Sequence, residues 1–582
     1  MSDSQSPAEI ASRRALDAMF RSLDAGEHFR LEAGAGAGKT YSLIKALHYL
    51  IERHENTFPR KNKRIACITF TTVARDEIAS RTDKNPMLYC ETNHAFCWSL
   101  ISGFQKQLRS LIEAMQVSAW QEKIVEAGGS LGNRTIEYSL GHRSIRNDHV
   151  SLHHDDILPL TVSLMENVKF RHIVTDRFPI ILVDEYQDTD KNWVEAIQKL
   201  FLGHTPSPLF GFFGDHWQKI YGNGCGRLDH PQVKPIGKEA NFRSVQTIVD
   251  CLNRMRPELP QFVDNPEIQG QVSVFHTNAW IGKRQTGGHW GGDLPTEVGH
   301  DTLERIKALL AQDGWDFSPE NTKVLMLTHR LLASEQGYAS LPSVFRYNES
   351  FAKKEHDHVA FFVDRLEPAC DAFSADRFGA MFDALGGNTP PLRSQADKVA
   401  WHDAMSQLMV IRENGTVGEV IDHLLNRRKP RLPEAIERRE RELREFDRTT
   451  GEDMPPVLVE IEKLHAVKYV EIQALRSYLD GHSPFETKHG VKGAEFENVL
   501  VVICRGWNHY NFGEMLGLAA NPPTSPGKQQ ETYERNRNLF YVVCSRPKRR
   551  LALLFTQQLS PCALATLERW FLPENIRAVT FP

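Results

Sequence analysis

The chain has 582 residues, 41% of them hydrophobic and 25% charged; this is too long for a single core, and about four structural units of ordinary size are expected. No run approaches the ~18 apolar residues of a membrane span, and a formal net charge of −4 excludes a polycation, so any nucleic-acid surface has to be local. The N-terminus, Met1 to Pro7, is polar and lacks a signal-like apolar stretch, from which a cytoplasmic location is expected, and nine scattered cysteines with no C-x-x-C pair argue against a zinc ribbon, an iron–sulfur cluster or a disulfide framework.

In chain order, residues 28–31 read as a short strand entering Ala33, Gly34, Ala35, Gly36, Ala37, Gly38, Lys39 and Thr40, after which Leu43, Ile44, Leu47, Leu50 and Ile51 recur at helical spacing. Strand, glycine-rich loop and helix form the setting of a phosphate-binding loop. Its backbone N–H groups would curl around a polyphosphate at the positive end of the helix, Lys39 would reach the β and γ phosphates, and Thr40 would offer its hydroxyl to Mg²⁺. The strict pattern has glycine where this chain has Ala33, and a glycine-alanine turn with a chance Gly-Lys-Thr is the alternative.

Residues 64–70 read as a second strand, ending in Phe70, before a helical stretch with Ala74, Glu77, Ile78 and Arg81. At the end of a parallel strand, Phe70 and its neighbouring threonines either meet bases and phosphates or simply pack. From about residue 98 to 155 the sequence is mostly helical and irregular, without strand alternation, which reads as an insertion. His153, His154 and Asp155 lack the spacing of a third ligand, so no metal is expected there. Residues 178–189 are a buried strand delivering Asp184 and Glu185 at its end; Asp184 suits Mg²⁺, and Glu185 suits orienting and deprotonating an attacking water. Residues 209–221 repeat the logic with Asp215, then Gln218, a neutral amide suited to sensing the γ phosphate, and Tyr221. Arg243 in Asn241-Phe-Arg-Ser244 is either a phosphate-facing cation or a surface residue.

The stretches 33–40, 69–81, 183–189, 214–222, 241–244, 487–496 and 539–546 resemble, in order and wording, the successive motifs of the UvrD/Rep helicases of superfamily 1. The resemblance implies an α/β fold of two RecA-like parallel-sheet domains of the P-loop NTPase type, each carrying a mainly helical insertion. Residues 1–97 and 156–238 would form the first core around an insertion at 98–155. Residues 239–345 and 481–582 would form the second around an insertion at 346–480, in which the charged run 434–448 reads as a solvated helix. The resemblance further implies ATP and Mg²⁺ as cofactors, Asp184, Glu185, Gln218, Arg243 and Arg546 as the hydrolytic set, and Glu495 on the ribose. The two arginines would reach the nucleotide from the opposite domain. Single-stranded or partly duplex DNA would lie against Phe70, His94, Tyr221 and His489, moving 3′ to 5′.

Several positions depart from the family pattern. No adenine-reading Gln is recognisable around residues 12–16, Asn223 and Gly224 replace an aromatic and an arginine, Asp76 stands where the family has Arg, and Asn536 and Asn538 replace charged residues. Three functions remain open: a DNA translocase or helicase in repair; a helicase-like sensor that activates a separate nuclease subunit, as in Gabija-type phage defence; and a non-motor NTP-dependent binding module, against which the intact Lys39, Asp184, Glu185, Gln218 and Arg546 argue.

Overall fold

A computed structural model describes residues 5–138, 143–220, 222–286, 291–326, 333, 335–346, 349–386, 392–447, 453–480, 485–487, 495–505 and 510–581. The chain divides into two compact units, one made of residues 1–272, 514–550 and 561–575, the other of 273–513, 551–560 and 576–582.

The first unit is built on six strands: β1 (Phe29–Ala33), β2 (Ile65–Thr69), β3 (Leu88–Thr92), β4 (Ile180–Asp184), β5 (Leu209–Gly214) and β6 (Lys234–Lys238), in the spatial order β3-β2-β4-β5-β1-β6. All neighbours pair in parallel. Strands β1, β2 and β4 are buried at every position, as expected of strands covered on both faces. The register sets Asp184 beside Phe213, Glu32 beside Gly214 and Ala33 beside Lys238, so the phosphate loop, the acids and the Asp215 loop leave the sheet at one edge. Helix α1 (Pro7–Ala25) starts from a reciprocal Ser6/Glu9 capping box and stops at a left-handed Gly26. Helix α2 (Lys39–His54) follows the loop, its apolar residues Leu43, Leu47 and Leu50 turned into the core.

Between β3 and β4, helices surround a core that includes Leu108, Ile112 and Trp120, and a small sheet of Thr135–Tyr138, Ser144–Ile145 and His149–Leu152 accompanies them. The sequence reading had no strands here. Ile136, Val150 and Leu152 do alternate with less buried neighbours, but over only four positions per strand, too few for a period of two to show.

Helices α3 (Gln246–Met255) and α4 (Lys528–Cys544) also belong to the first unit. The expected boundary at residue 239 therefore does not coincide with the boundary of packing, and Arg243 and Arg546 share a unit with the phosphate loop instead of coming from the opposite one. The reason is a set of hydrogen bonds: Phe242 N–H donates to Gly36 C=O (2.9 Å), the Asn241 amide to Ala35 C=O (3.1 Å), and the Asn538 amide to His216 C=O (3.0 Å).

The second unit has its own six-stranded sheet: β7 (Gln271–His276), β8 (Thr322–Met326), β9 (Phe485–Thr487), β10 (Phe496–Ile503), β11 (Pro547–Phe555) and β12 (Ile576–Ala578), ordered β9-β8-β10-β11-β7-β12. A succession of helices from Leu341–Val344 to Val470–Leu479 encloses a separate core containing Trp401, Met405, Leu424 and Leu475. The charged helix Glu434–Glu445 is not solvated all round. It buries Ile436 and Glu440, and one Glu440 carboxylate oxygen accepts from His358 Nε2 (2.9 Å) and His465 Nε2 (3.0 Å). Among the described residues, no helix is long and apolar enough to cross a membrane.

Candidate nucleotide and nucleic-acid site

The phosphate loop has the backbone its sequence demands. Gly36 (φ 75°) and Gly38 (φ 72°) are left-handed, and Gly38 is the N-cap of α2. Close approach explains the glycines as much as φ does: a Cβ on Gly34 would lie 2.7 Å from the Gln261 amide, and one on Gly36 2.7 Å from Arg243 Cβ. The loop thus rests on Asn241, Arg243 and Gln261, and the side-chain amides of Asn241 and Gln261 also donate to Ala35 C=O.

Asp184 ends β4 buried, and Glu185 next to it is in the left-handed region (φ 48°, ψ 45°), a conformation that costs a non-glycine residue of order 1 kcal/mol or more. The turn aims its carboxylate at Lys39 Nζ, 2.8 Å away. Gln187, fully buried, also donates to Glu185, and to Asp188 at 3.0 Å, while its carbonyl oxygen accepts from Asp215 N–H at 3.0 Å. Gly214 is obligatory beside it, since a Cβ there would fall 2.3 Å from that same oxygen.

A buried polar network holds the Asp215 loop. Asp215 accepts from Gln218 Nε2 (2.7 Å), Trp217 N–H (3.0 Å) and Arg256 Nη1 (2.6 Å). Arg256 also reaches Glu32 (3.3 Å), which accepts from the backbone N–H and ring of His216 and pairs with Arg30 Nε (3.1 Å). Burial alone would raise the Glu32 pKa, but the His216 hydrogen bond and the charges of His216, Arg30 and Arg256 bring it down to about 2. Burial likewise opposes the charge on Arg256, and Asp215, Tyr541 and Glu32 hold it in the charged form. Arg546, fully buried, lies 3.5 Å from the Gln218 side-chain oxygen, and Arg243 donates to Ser545 C=O (3.0 Å).

A groove of about 1150 Å³ in the same unit is lined by Phe70, His94, Tyr138, His154, Asp188 and Asn223, among others. The His94 and His154 rings stack with centroids 3.5 Å apart, and Tyr138 OH meets His154 Nδ1 at 2.7 Å. Burial, with the neighbouring His154, pushes His94 down to about 4, so the His94 ring is uncharged at neutral pH. His153 caps the following helix through Asp155 N–H.

Of the sequence-predicted residues, the structure brings Ala33 to Thr40, Asp184, Glu185, Gln218, Arg243 and Arg546 into one unit, and Phe70 and His94 into one groove. Glu495 is exposed just before β10 in the other unit. Tyr221 and His489 lie outside the described residues. The departures acquire physical reasons. A Cβ on Gly224 would meet Gln187 C=O at 2.3 Å, and Asn538 supplies two donors to the backbone oxygens of His216 and Lys219. Arg75 is paired with Asp76 and Glu91. Sequence reasoning missed Glu32, Gln187, Lys238, Arg256 and Phe242. The one visible signal was Glu32, which with Arg30 puts two charged residues in a short strand that is buried throughout.

A parallel sheet presenting a phosphate loop, paired acids and a Gln–Arg contact at one edge is the arrangement of a RecA-like P-loop NTPase, here beside an aromatic-lined groove. A family profile described as an AAA domain matches residues 18–223. The chain is similar to the Gabija protein GajB of Bacillus cereus, 21% identical over an alignment covering 93% of this chain and 95% of that protein. It is also similar to the ATP-dependent DNA helicase PcrA of Staphylococcus aureus (23%, covering 38% of this chain and 37% of the relative) and of Staphylococcus epidermidis (22%, with the same coverages). The chain is thus similar over its length to a Gabija protein and in part to UvrD/PcrA-type superfamily 1 helicases.

Proposed function

We propose that the protein is an ATP hydrolase driven by single-stranded or partly duplex DNA, acting as the helicase-like subunit of a defence system with a separate nuclease. Its main support is the convergence on one sheet edge of the phosphate loop, Asp184, and Glu185 held 2.8 Å from Lys39. The residues present fit MgATP. Left-handed Gly36 and Gly38 turn backbone N–H groups toward an anion, Lys39 supplies positive charge, and Thr40 and Asp184 offer the oxygen ligands that Mg²⁺ prefers. Bound Mg²⁺ would neutralise charge developing on the phosphates. Lys39 leaves Glu185 for the phosphates, which frees the carboxylate to orient and deprotonate water. Gln218, clamped by Asp215, senses the γ phosphate, and Arg546 and Arg243 stabilise the transition state. Phe242, half exposed with its N–H on the loop, offers a face for the base, and Phe70 and the His94 wall offer the strand a stacking surface.

End-to-end similarity to GajB, against partial similarity to PcrA, favours defence over repair. Movement 3′ to 5′ and contacts of Glu495, Tyr221 and His489 with ribose or DNA belong to the same proposal. Lys39→Ala is expected to abolish ATP turnover and Glu185→Gln to bind ATP without hydrolysing it, with wild-type hydrolysis stimulated severalfold by single-stranded DNA at low salt. Substantial turnover by either variant, or wild-type rates indifferent to DNA, would sink the assignment.

A further inference from the structure

Lys238 ends β6 directly beside Ala33 of β1, so its side chain starts at the root of the phosphate loop. It is fully buried. Its Nζ donates to Gly38 C=O (3.1 Å) and Ser42 Oγ (2.8 Å) and lies 5.5 Å from the centre of the Tyr41 ring. Among the described residues no carboxylate pairs with it, and burial alone moves its pKa, down to about 8. The placement is unfavourable on two counts. A buried cation without a counter-charge is costly, and one set against the first turn of α2 opposes the helix dipole.

Both costs are offset by an anion on the other side of the loop. The Gly38 carbonyl gathers Lys238 Nζ and Ser42 N–H behind the loop, while the N–H of the same peptide unit, that of Lys39, is left for the anion. We propose that Lys238 is a second, concealed phosphate-loop cation: a positioning residue whose charge sets affinity for the polyphosphate of the nucleotide without touching it. This rests on the nucleotide-hydrolysis reading but concerns a residue that reading does not need, because Lys39 faces the phosphates and Lys238 backs the loop.

The charge contribution is separable from the hydrogen bonds. Lys238→Gln keeps an N–H donor, one atom nearer the backbone, but carries no charge; Lys238→Met is of similar length to the Gln and has neither donor nor charge. Fluorescent ATP, ADP and AMP analogues, titrated with Mg²⁺ into the full-length protein and each variant, give the affinities, and steady-state hydrolysis gives KM and kcat. Both variants should bind the ATP analogue about tenfold more weakly, as loss of a unit charge at this range implies, the ADP analogue less so, and the AMP analogue nearly as the wild type does. The loss should fall on KM, with kcat within twofold. Either variant binding the ATP analogue within twofold of the wild type, or losing affinity equally for all three analogues, would overturn the proposal. A Gln variant as tight as wild type would show that hydrogen bonding, not charge, is the contribution, and would overturn it too. Wild-type protein that binds no ATP analogue would instead remove the nucleotide reading itself.

Discussion

Replacing Arg256 tests the network beneath the site. Its guanidinium is 2% exposed, lies 2.6 Å from Asp215, itself fully buried, and 3.3 Å from Glu32, and is flanked by the rings of Trp217 (5.4 Å) and Tyr541 (5.9 Å). Arg256→Met keeps most of the volume and removes the charge. Two buried carboxylates then lose a partner. Breaking a buried pair from one side costs about 3–5 kcal/mol, because the remaining ion is left desolvated. The lower end is expected, since Glu32 keeps Arg30 at 3.1 Å and Asp215 keeps its bonds from Trp217 N–H and Gln218. Urea unfolding followed by tryptophan fluorescence should show the transition of the first unit shifted by that amount. Adding Asp215→Asn should recover part of the loss, because the stranded carboxylate is gone, and the two substitutions should therefore be non-additive. A loss of under ~1 kcal/mol in Arg256→Met, or strict additivity with Asp215→Asn, would refute the view that this network is a closed charge system.

Two further outcomes follow. Glu32 has a folded pKa of about 2 against an ordinary 4.5, so the unfolded state takes up protons first; the stability it contributes, about 3 kcal/mol at most, is complete above 4.5 and lost as pH falls through about 2. Glu32→Gln should flatten the acid limb of urea midpoints between pH 5 and 2, and an unchanged limb would contradict this. The second outcome concerns nucleotide choice: no adenine-reading Gln is recognisable near residues 12–16, Ser12 is buried in α1, and Glu9 is occupied by the capping box, so ATP, dATP and GTP should differ by less than about tenfold in turnover efficiency. A hundredfold preference for ATP at saturating DNA would show that another group reads the base.

What the sequence disclosed and what it concealed divide along a physical line. The phosphate loop, Asp184, Glu185 and Gln218 were legible because each lies in a short segment where strand, turn and side chain are adjacent in the chain. The network was not, because Glu32, Asp215, His216 and Arg256 come from three distant segments, and pairing across a fold leaves no local period. Lys238 was hidden for the opposite reason: a single lysine at the end of an edge strand is ordinarily solvated, and only the parallel register beside Ala33 buries it. Arg243 and Arg546, expected from the opposite domain, fall in the compact unit of the phosphate loop, since motif order says which residues meet a nucleotide but not which compact unit carries them. The charged run 434–448 misled because its composition hides two inward positions, Ile436 and Glu440.

The same contacts give the groove a short path to the phosphates. Asp188 lines the groove, and Gln187 donates to it at 3.0 Å, donates also to Glu185, the proposed base, and accepts from Asp215 N–H at 3.0 Å, at the head of the loop that carries Gln218. One buried amide thus joins the groove wall, the candidate base and the loop of the candidate γ-phosphate sensor. Only glycine fits at two neighbouring positions, because a Cβ at Gly214 would fall 2.3 Å from the Gln187 side-chain oxygen and one at Gly224 2.3 Å from its backbone oxygen. Glu185 is thus held by Lys39 and Gln187, and a change at Asp188 can reach it through the Gln187 amide and through the bond that Asp188 N–H donates to Glu185 C=O (2.9 Å). Helix α4 closes the circuit from the other side, because Asn538 grips the carbonyls of His216 and Lys219 while Arg546, just past its end, touches Gln218. A displacement of α4 would move Gln218 and Arg546 together, which would couple the roles proposed for them in sensing the γ phosphate and stabilising its transfer.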